Sequence, residues 1–301
     1  MQHNLIGALQ IIAGAICWGT LGILGTQLNR LGFTGTEVAT LRILIAGLTL
    51  LVILPYFRPY LRQIKKRHIP TLVVQSLIGM LGMSLCYFAA VARVGSSLAV
   101  TLLYTAPVWS LVFARLLLSE RISRKSAFLS ATAVLGVSLT MLGNGTADPT
   151  GILVGLGSGM CYALYGVLGK RAMSGSPPML VFFTSIILSA FALLLFPNTY
   201  PTIAKLTQQS PAAWVATTGI SFIGTISASF LFMRGLQKMP ATKASVFTIF
   251  EPLTAVLLAA VLLGERLQTL QYIGVVLILA AALLNTAPPH THRRRNRIIV
   301  S

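Results

Sequence analysis

Ten apolar runs, each close to the length of a bilayer crossing, alternate with short polar stretches along this chain. They cover residues 5–28, 36–56, 70–91, 97–117, 126–143, 150–170, 178–196, 212–234, 242–263 and 270–286. About 20 largely apolar residues are needed for a helix to cross the hydrocarbon layer. The runs lack the alternation of apolar and polar positions that a barrel strand requires. Backbone groups in lipid must bond within their own segment, so the runs predict ten transmembrane helices and an all-α integral membrane protein. None of the loops leaves room for a soluble domain. The first run continues past a signal peptide's length with no small-x-small cleavage context beyond it, and is expected to remain as a span.

Composition agrees with that class. Of 301 residues, 55% are hydrophobic and 9% charged, against roughly 25% charged in a soluble domain. The net charge of +18, from 23 Lys and Arg against 5 acids, would by itself fit a nucleic-acid binder. The position of each charge removes that reading. With the N-terminus inside, eighteen of the 23 basic residues fall on the cytoplasmic side, and Arg30, Arg93, Lys205 and Arg266 fall outside. This is a positive-inside distribution. The basic stretch 57–68 and the tail 290–297 therefore read as topology anchors that meet anionic headgroups, and no nucleic-acid partner is expected. The lipid bilayer is the partner the composition demands.

Cysteine and histidine point to no cofactor and no metal. Cys17, Cys86 and Cys161 lie within apolar runs, with no CxxC, and read as small packing residues. His3, His68, His290 and His292 lie in polar flanks, so no histidine relay sits in the membrane. Primary ATP-driven transport by this chain is excluded, because GxxxxGK[ST] is absent.

The chain repeats itself. Cys17-Trp-Gly-Thr-Leu-Gly-Ile-Leu-Gly25 aligns with Cys161-Tyr-Ala-Leu-Tyr-Gly-Val-Leu-Gly169 at an offset of 144. Further on, Pro107, Glu120 and Arg121 align with Pro252, Glu265 and Arg266 at an offset of 145. Residues 1–145 and 146–287 thus form two five-helix repeats, followed by a basic cytoplasmic tail, 288–301. Five spans is an odd number, so the second copy enters the membrane inverted. Inverted repeats around a midplane site are the architecture of secondary transporters.

Particular residues carry a family resemblance. Trp18-Gly19, Arg42, the Pro107 helix ending in Ser119-Glu120-Arg121, and the Glu251-Pro252 helix ending in Gly264-Glu265-Arg266 resemble the EamA repeat of the drug/metabolite transporter superfamily. The first repeat departs from the pattern with Ala106-Pro107 in place of Glu-Pro, and the second with Tyr162-Ala163 in place of Trp-Gly. The resemblance implies ten helices around a central cavity lined by the first four of each repeat, with both termini cytoplasmic, in the cytoplasmic (inner) membrane. It also implies export or exchange of a small-molecule substrate, often an amino acid or a related compound.

Ionisable residues inside spans are costly and therefore informative. Arg42, about two turns into the second span, has two readings: it snorkels or pairs structurally, or it holds a substrate carboxylate or phosphate, which guanidinium geometry suits. Glu37, at the start of that span, suits the N-terminus of a helix. Glu251 precedes Pro252 in span nine. Pro252 removes the bond to the Thr248 carbonyl, as Pro107 does for Leu103, and each is expected to kink its helix. Glu251 is either satisfied within kinked packing or forms a proton-sensitive or cation-sensing site, since burial disfavours a charged carboxylate. Proton coupling would rest on Glu251 or Glu37, and uncoupled exchange is the equal alternative. Glu120 and Glu265 read as loop residues that cap the next helix or pair with basic neighbours.

Trp18, Tyr104, Trp109, Tyr162 and Tyr165 lie too deep for an interfacial aromatic belt. Helix packing is one explanation. The other is that Trp18, Tyr104, Tyr162 and Tyr165 line the cavity and give it an apolar wall with hydroxyl handles. Gln75 and Tyr87 in span three are weaker pathway candidates. Gly151, Gly155 and Gly159, at four-residue spacing on span six, predict a close helix–helix contact.

The leading reading is a secondary transporter working by alternating access, not an enzyme. A passive channel or lipid flippase is the alternative, with an integral membrane enzyme behind it because the five acids are scattered. The oligomeric state, monomer or homodimer, is left open.

Overall fold

A computed structural model describes residues 2–57, 66–94, 96–140, 148–263 and 269–286. The stretch 58–65, the Glu265-Arg266 pair and the tail 288–301 lie outside the described residues. The described residues hold helices and no strand. In chain order the helices are α1 (Gln2–Gly19), α2 (Leu21–Arg30), α3 (Gly35–Ile53), α4 (Lys66–Val94), α5 (Ser96–Leu103), α6 (Ala106–Leu118) and α7 (Arg124–Thr140). Then follow α8 (Pro149–Ala172), α9 (Pro178–Leu193), α10 (Thr199–Thr207), α11 (Pro211–Leu236), α12 (Ala241–Phe247), α13 (Phe250–Leu263) and α14 (Thr269–Thr286).

Among the described residues, six stretches are long and apolar enough to cross a membrane: Leu5–Arg30, α3, α4, Leu98–Leu118, α8 and α11. They coincide with the predicted spans one, two, three, four, six and eight. The other four predicted spans fall on helices that are shorter, broken or more polar: α7, α9, the pair α12 and α13, and α14.

Local chemistry sets the ends of these helices. Thr34 precedes α3, and its hydroxyl accepts from the Glu37 N–H while Glu37 Oε2 accepts from the Thr34 N–H at 2.7 Å, a complete capping box. Lys205 joins Glu37 at 2.9 Å. The helix-start role expected of Glu37 is thus filled, with an ion pair added. Thr34→Ala is expected to cost about 1 kcal/mol, read as a lowered Tm; an unchanged Tm would show that Lys205 alone orders this end. Asp148 caps α8 through the N–H groups of Thr150 and Gly151 and pairs with Arg93 at 3.3 Å. Desolvation pushes the Asp148 carboxyl up, but the bonds from Arg93 and the two backbone N–H groups prevail and hold it below the usual carboxylate range.

Three helices are interrupted rather than bent. Thr20, Thr105 and Thr248 each turn their hydroxyl back onto the carbonyl three residues earlier, at 2.7, 2.6 and 2.8 Å. Pro107 and Pro252 follow the second and third of these and sit in the first turns of α6 and α13. The sequence predicted kinked continuous helices. A proline in a first turn sacrifices an N–H that has no partner there anyway, so each proline starts a new helix instead. The Thr248 carbonyl accepts from the Glu251 N–H at 3.0 Å. Two further irregularities are π-helical stretches, Gln75–Gly82 within α4 and Phe222–Ser227 within α11; such wide turns concentrate at functional places.

Packing crosses between the halves of the chain. Helix α1 lies on α11 and α13, while α8 lies on α4, α5 and α6. Helix α3 meets α9, and α7 meets α14. The glycine stripe of α8 makes the close contact expected of it: Gly151 faces Arg93 and Val94, Gly155 faces Leu102, and Gly159 faces the backbone of Leu102 and Leu103. The largest buried cluster lies between these helices and includes Trp18, Tyr104, Tyr162, Tyr165 and Phe232.

Candidate functional site

The breaks and the interior aromatics converge on one place. Glu251 is the second residue of α13, two residues past the interruption at Thr248 and Ile249. Tyr162 of α8 donates its hydroxyl to Glu251 Oε2 at 3.2 Å, and Tyr104, at the α5–α6 break, presents its hydroxyl to the same carboxylate. The Tyr104 and Tyr162 rings meet edge to face with centroids 6.4 Å apart. Trp18 packs edge-on to Tyr162 at 6.0 Å and tilted against Phe232 at 5.4 Å. Tyr165 stacks on Phe232 at 5.6 Å. Gly19, next to Trp18, lies against the Glu251 carbonyl and Thr254, so α1 and α13 touch at the level of the acid. Such ring contacts contribute about 0.5–1.5 kcal/mol each beyond area burial.

Arg42 is buried in α3 and donates from Nη2 to Ser84 Oγ of α4 at 3.1 Å. Glu251, Tyr87 and Tyr165 are the groups whose charge or dipole acts on it. No ion pair joins Arg42 to Glu251 among the described residues. Arg42 and Glu251 are thus close enough to act on each other electrostatically without a direct contact. Snorkelling is not what the side chain does, because it points into the protein.

The remaining predicted residues divide. Tyr87 is half-buried, near Arg42, with its ring 5.0 Å from Phe88. Gln75 is fully buried in the π-helical stretch, and both its side-chain polar atoms lack a partner among the described residues. That stretch packs on α8 and α9, and no hydrogen bond ties Gln75 to the Tyr162–Glu251 pair. Tyr165 Oη is likewise buried without a well-formed bond, beside the hydroxyls of Ser185 and Ser229. Trp109 stacks on Phe113 as a packing residue. Cys86 and Cys161 meet across α4 and α8 as free thiols. No three His, Cys, Asp or Glu side chains come together as a metal-holding group among the described residues.

Two members of the site were not singled out in the sequence, Phe232 and Ser84. The sequence offset of 145 carries Tyr87 onto Phe232 and Ser84 onto Ser229, a pairing that could have pointed to them. A small cavity of about 10 Å³ adjoins the site, lined by Ala106, Ser110, Tyr162, Gly166, Phe232, Leu236, Ala241, Ser245 and Thr248. That is room for roughly one water, so anything larger needs the helices to part.

Comparison with known proteins places this geometry. Residues 5–142 and 149–287 each match the EamA-like transporter family. The uncharacterized transporter YwfM of Bacillus subtilis is 27% identical over 97% of this chain and 97% of its own length. The threonine/homoserine exporter RhtA of Escherichia coli is 30% identical over 82% of this chain and 80% of its own. A solved crystal structure shares the fold with a TM-score of 0.74, covering 94% of this chain and 96% of that one at 18% identity.

Proposed function

We propose, from the premise that the chain belongs to the EamA-like transporter family, that it is a secondary transporter working by alternating access, which exports or exchanges a small carboxylate-bearing metabolite, an amino acid or related compound, across the cytoplasmic membrane. One observation carries the reading: Arg42 and Glu251 face an aromatic-walled centre beside interrupted helices, without contacting each other. The likeness to a threonine/homoserine exporter supports the substrate class.

The architecture that goes with this reading is two inverted five-helix repeats, 1–145 and 146–287, with both termini and the basic tail in the cytoplasm. Three observations support it. Helix α1 packs on α11 and α13, as α8 packs on α4, α5 and α6. The interruptions at Tyr104–Thr105 and Thr248–Ile249 are 144 residues apart. The π-helical stretches fall in the third span of each repeat.

The chemistry follows from the groups in place. Trp18, Tyr104, Tyr162 and Tyr165 give an apolar wall that displaces water from the substrate. Arg42 spends one N–H on Ser84 and offers the rest of its fork to a carboxylate. Glu251 takes an ammonium group or a proton, its oxygens meanwhile held by the tyrosine hydroxyls. Glu37 is committed to its capping box and to Lys205, which leaves Glu251 as the acid for proton coupling. Interrupted helices let half-helices tilt without breaking a continuous ladder, as alternating access requires.

A panel of amino acids and other small carboxylates tests this. A ligand at 100 times its Kd adds about 2.7 kcal/mol of stability, so a cognate compound is expected to raise the Tm of the purified protein, but not that of Arg42→Gln. The same compound should then show saturable counterflow in proteoliposomes, measured with and without a pH gradient. A linear, non-saturating flux would make the protein a channel.

A further inference from the structure

One contact network outside the central site reaches between the halves of the chain. The turn 237–240 joins α11 to α12, and groups from two other helices and from the loop after α6 hold it and the start of α12. Lys170 Nζ of α8 donates to the carbonyls of Leu236 and Gln237 at 2.8 and 3.0 Å. Lys238 Nζ donates to Gln10 Oε1 of α1 at 2.8 Å. Glu120, two residues past α6, accepts from the Ala241 N–H at 3.1 Å, the Thr242 N–H at 3.4 Å and the Thr242 hydroxyl at 3.0 Å. The sequence placed Glu120 as a cap on the next helix or a partner of basic neighbours. It caps a helix 121 residues away instead. Pro240, in the N-cap position of α12, has no side chain able to cap, so the carboxylate supplies what the local sequence lacks.

Two features give this network more than a capping role. Leu236 and Ala241, whose backbone groups Lys170 and Glu120 hold, both line the cavity beside Tyr162. The cavity therefore cannot widen at this end while both contacts stand. Ser119, the residue that aims Glu120, has φ 55°. A non-glycine residue in the left-handed region carries strain, and such residues cluster at switches.

We propose that the 237–240 turn is the gate at this end of the pathway, and that Glu120 and Lys170 are the latch that holds it shut. The latch is made in the structure described here and broken when the cavity opens. Glu120 and Gln10 belong to the first half of the chain and the turn to the second, so tilting one half against the other loosens the Glu120 and Lys238 contacts together, while Lys170 braces the turn from within its own half. Glu120 and Lys170 act on each other electrostatically as well, which makes release of one favour release of the other. The inference rests on the alternating-access reading for its meaning, but its test needs no transported substrate.

The test is cysteine accessibility. In a full-length background with Cys17, Cys86 and Cys161 replaced by Ser, Ser245→Cys places a thiol on the cavity wall. Its modification by a membrane-impermeant methanethiosulfonate reagent is timed in proteoliposomes. Slow labelling is expected with the latch intact, and labelling at least tenfold faster in Glu120→Gln or Lys170→Met. Asp148→Asn breaks a contact elsewhere and should not accelerate it. Equal rates with Glu120 or Lys170 replaced, in protein with an unchanged elution profile, would overturn the proposal, as would equal acceleration by Asp148→Asn. Should the charge variants not fold, the pair Glu120→Cys with Thr242→Cys decides. Its oxidation to a disulfide must suppress labelling at position 245 at least tenfold and reduction must restore it; labelling indifferent to that cross-link overturns the gate. If the latch behaves as expected while no panel compound shows counterflow, the gate stands and the substrate class falls.

Discussion

Glu251→Gln is expected to leave the protein folded and to lower transport on the order of 30-fold or more. The side chain keeps its shape and one accepting oxygen, so the Tyr162 hydroxyl retains a partner. The negative charge is lost. A hydrogen bond to a charged group contributes about 1.5–3 kcal/mol, and roughly 2 kcal/mol corresponds to that factor. Accumulation driven by a pH gradient should vanish altogether, because a glutamine binds and releases no proton. Arg42 then stands without its counter-charge across the centre, which strengthens its hold on a carboxylate and slows release. Proteoliposome rates and a pH dependence equal to wild type would remove Glu251 from the mechanism.

Gly159→Leu should fail at an earlier stage, in folding. A Cβ at this position would lie 2.6 Å from Thr105 Oγ1, 2.7 Å from the Leu102 carbonyl oxygen and 3.1 Å from that of Leu103. Backbone oxygens cannot rotate aside, so α8 would have to move off α5 at the level of the break. Overpacking alone costs about 1–3 kcal/mol, and displacement of the helix adds to it. A Tm lower on the order of 10 °C is expected, with transport lost. Gly155→Leu should be milder, since it meets the Leu102 side chain, which can turn. Gly157→Leu is the control: nothing lies within 4 Å of a Cβ there, and it should behave as wild type. Normal stability in Gly159→Leu would show that the α5–α8 approach is looser than described.

What could be read early and what could not divides along a physical line. Glu37 was legible because a carboxylate at the start of a span suits a helix N-terminus, and its cap partner Thr34 lies only three residues away. Glu120 was half legible: a carboxylate after a helix reads as a cap, but its partner is 121 residues away and only folding brings them together. The prolines were read as kinks because sequence marks the missing N–H but not where the new helix starts. That Thr105 and Thr248 would close the preceding turn with their hydroxyls needed the backbone path. Phe232 resembled any other apolar residue of span eight until its ring was found between Trp18 and Tyr165.

By itself the sequence determined the membrane as solvent, the all-helical class and the family. Each depends on hydropathy, charge or spacing summed along the chain, and such sums need no knowledge of which helices touch. Tertiary structure alone decided that Tyr104, Tyr162 and Glu251 form one cluster, that Arg42 acts on Glu251 without an ion pair, that Gln75 finds no partner among the described residues, and that Glu120 reaches a helix far along the chain. These are distances between residues far apart in the chain. They follow from how close-packed helices cross, which small residues such as Gly19 and Gly159 permit and hydropathy along the chain does not encode.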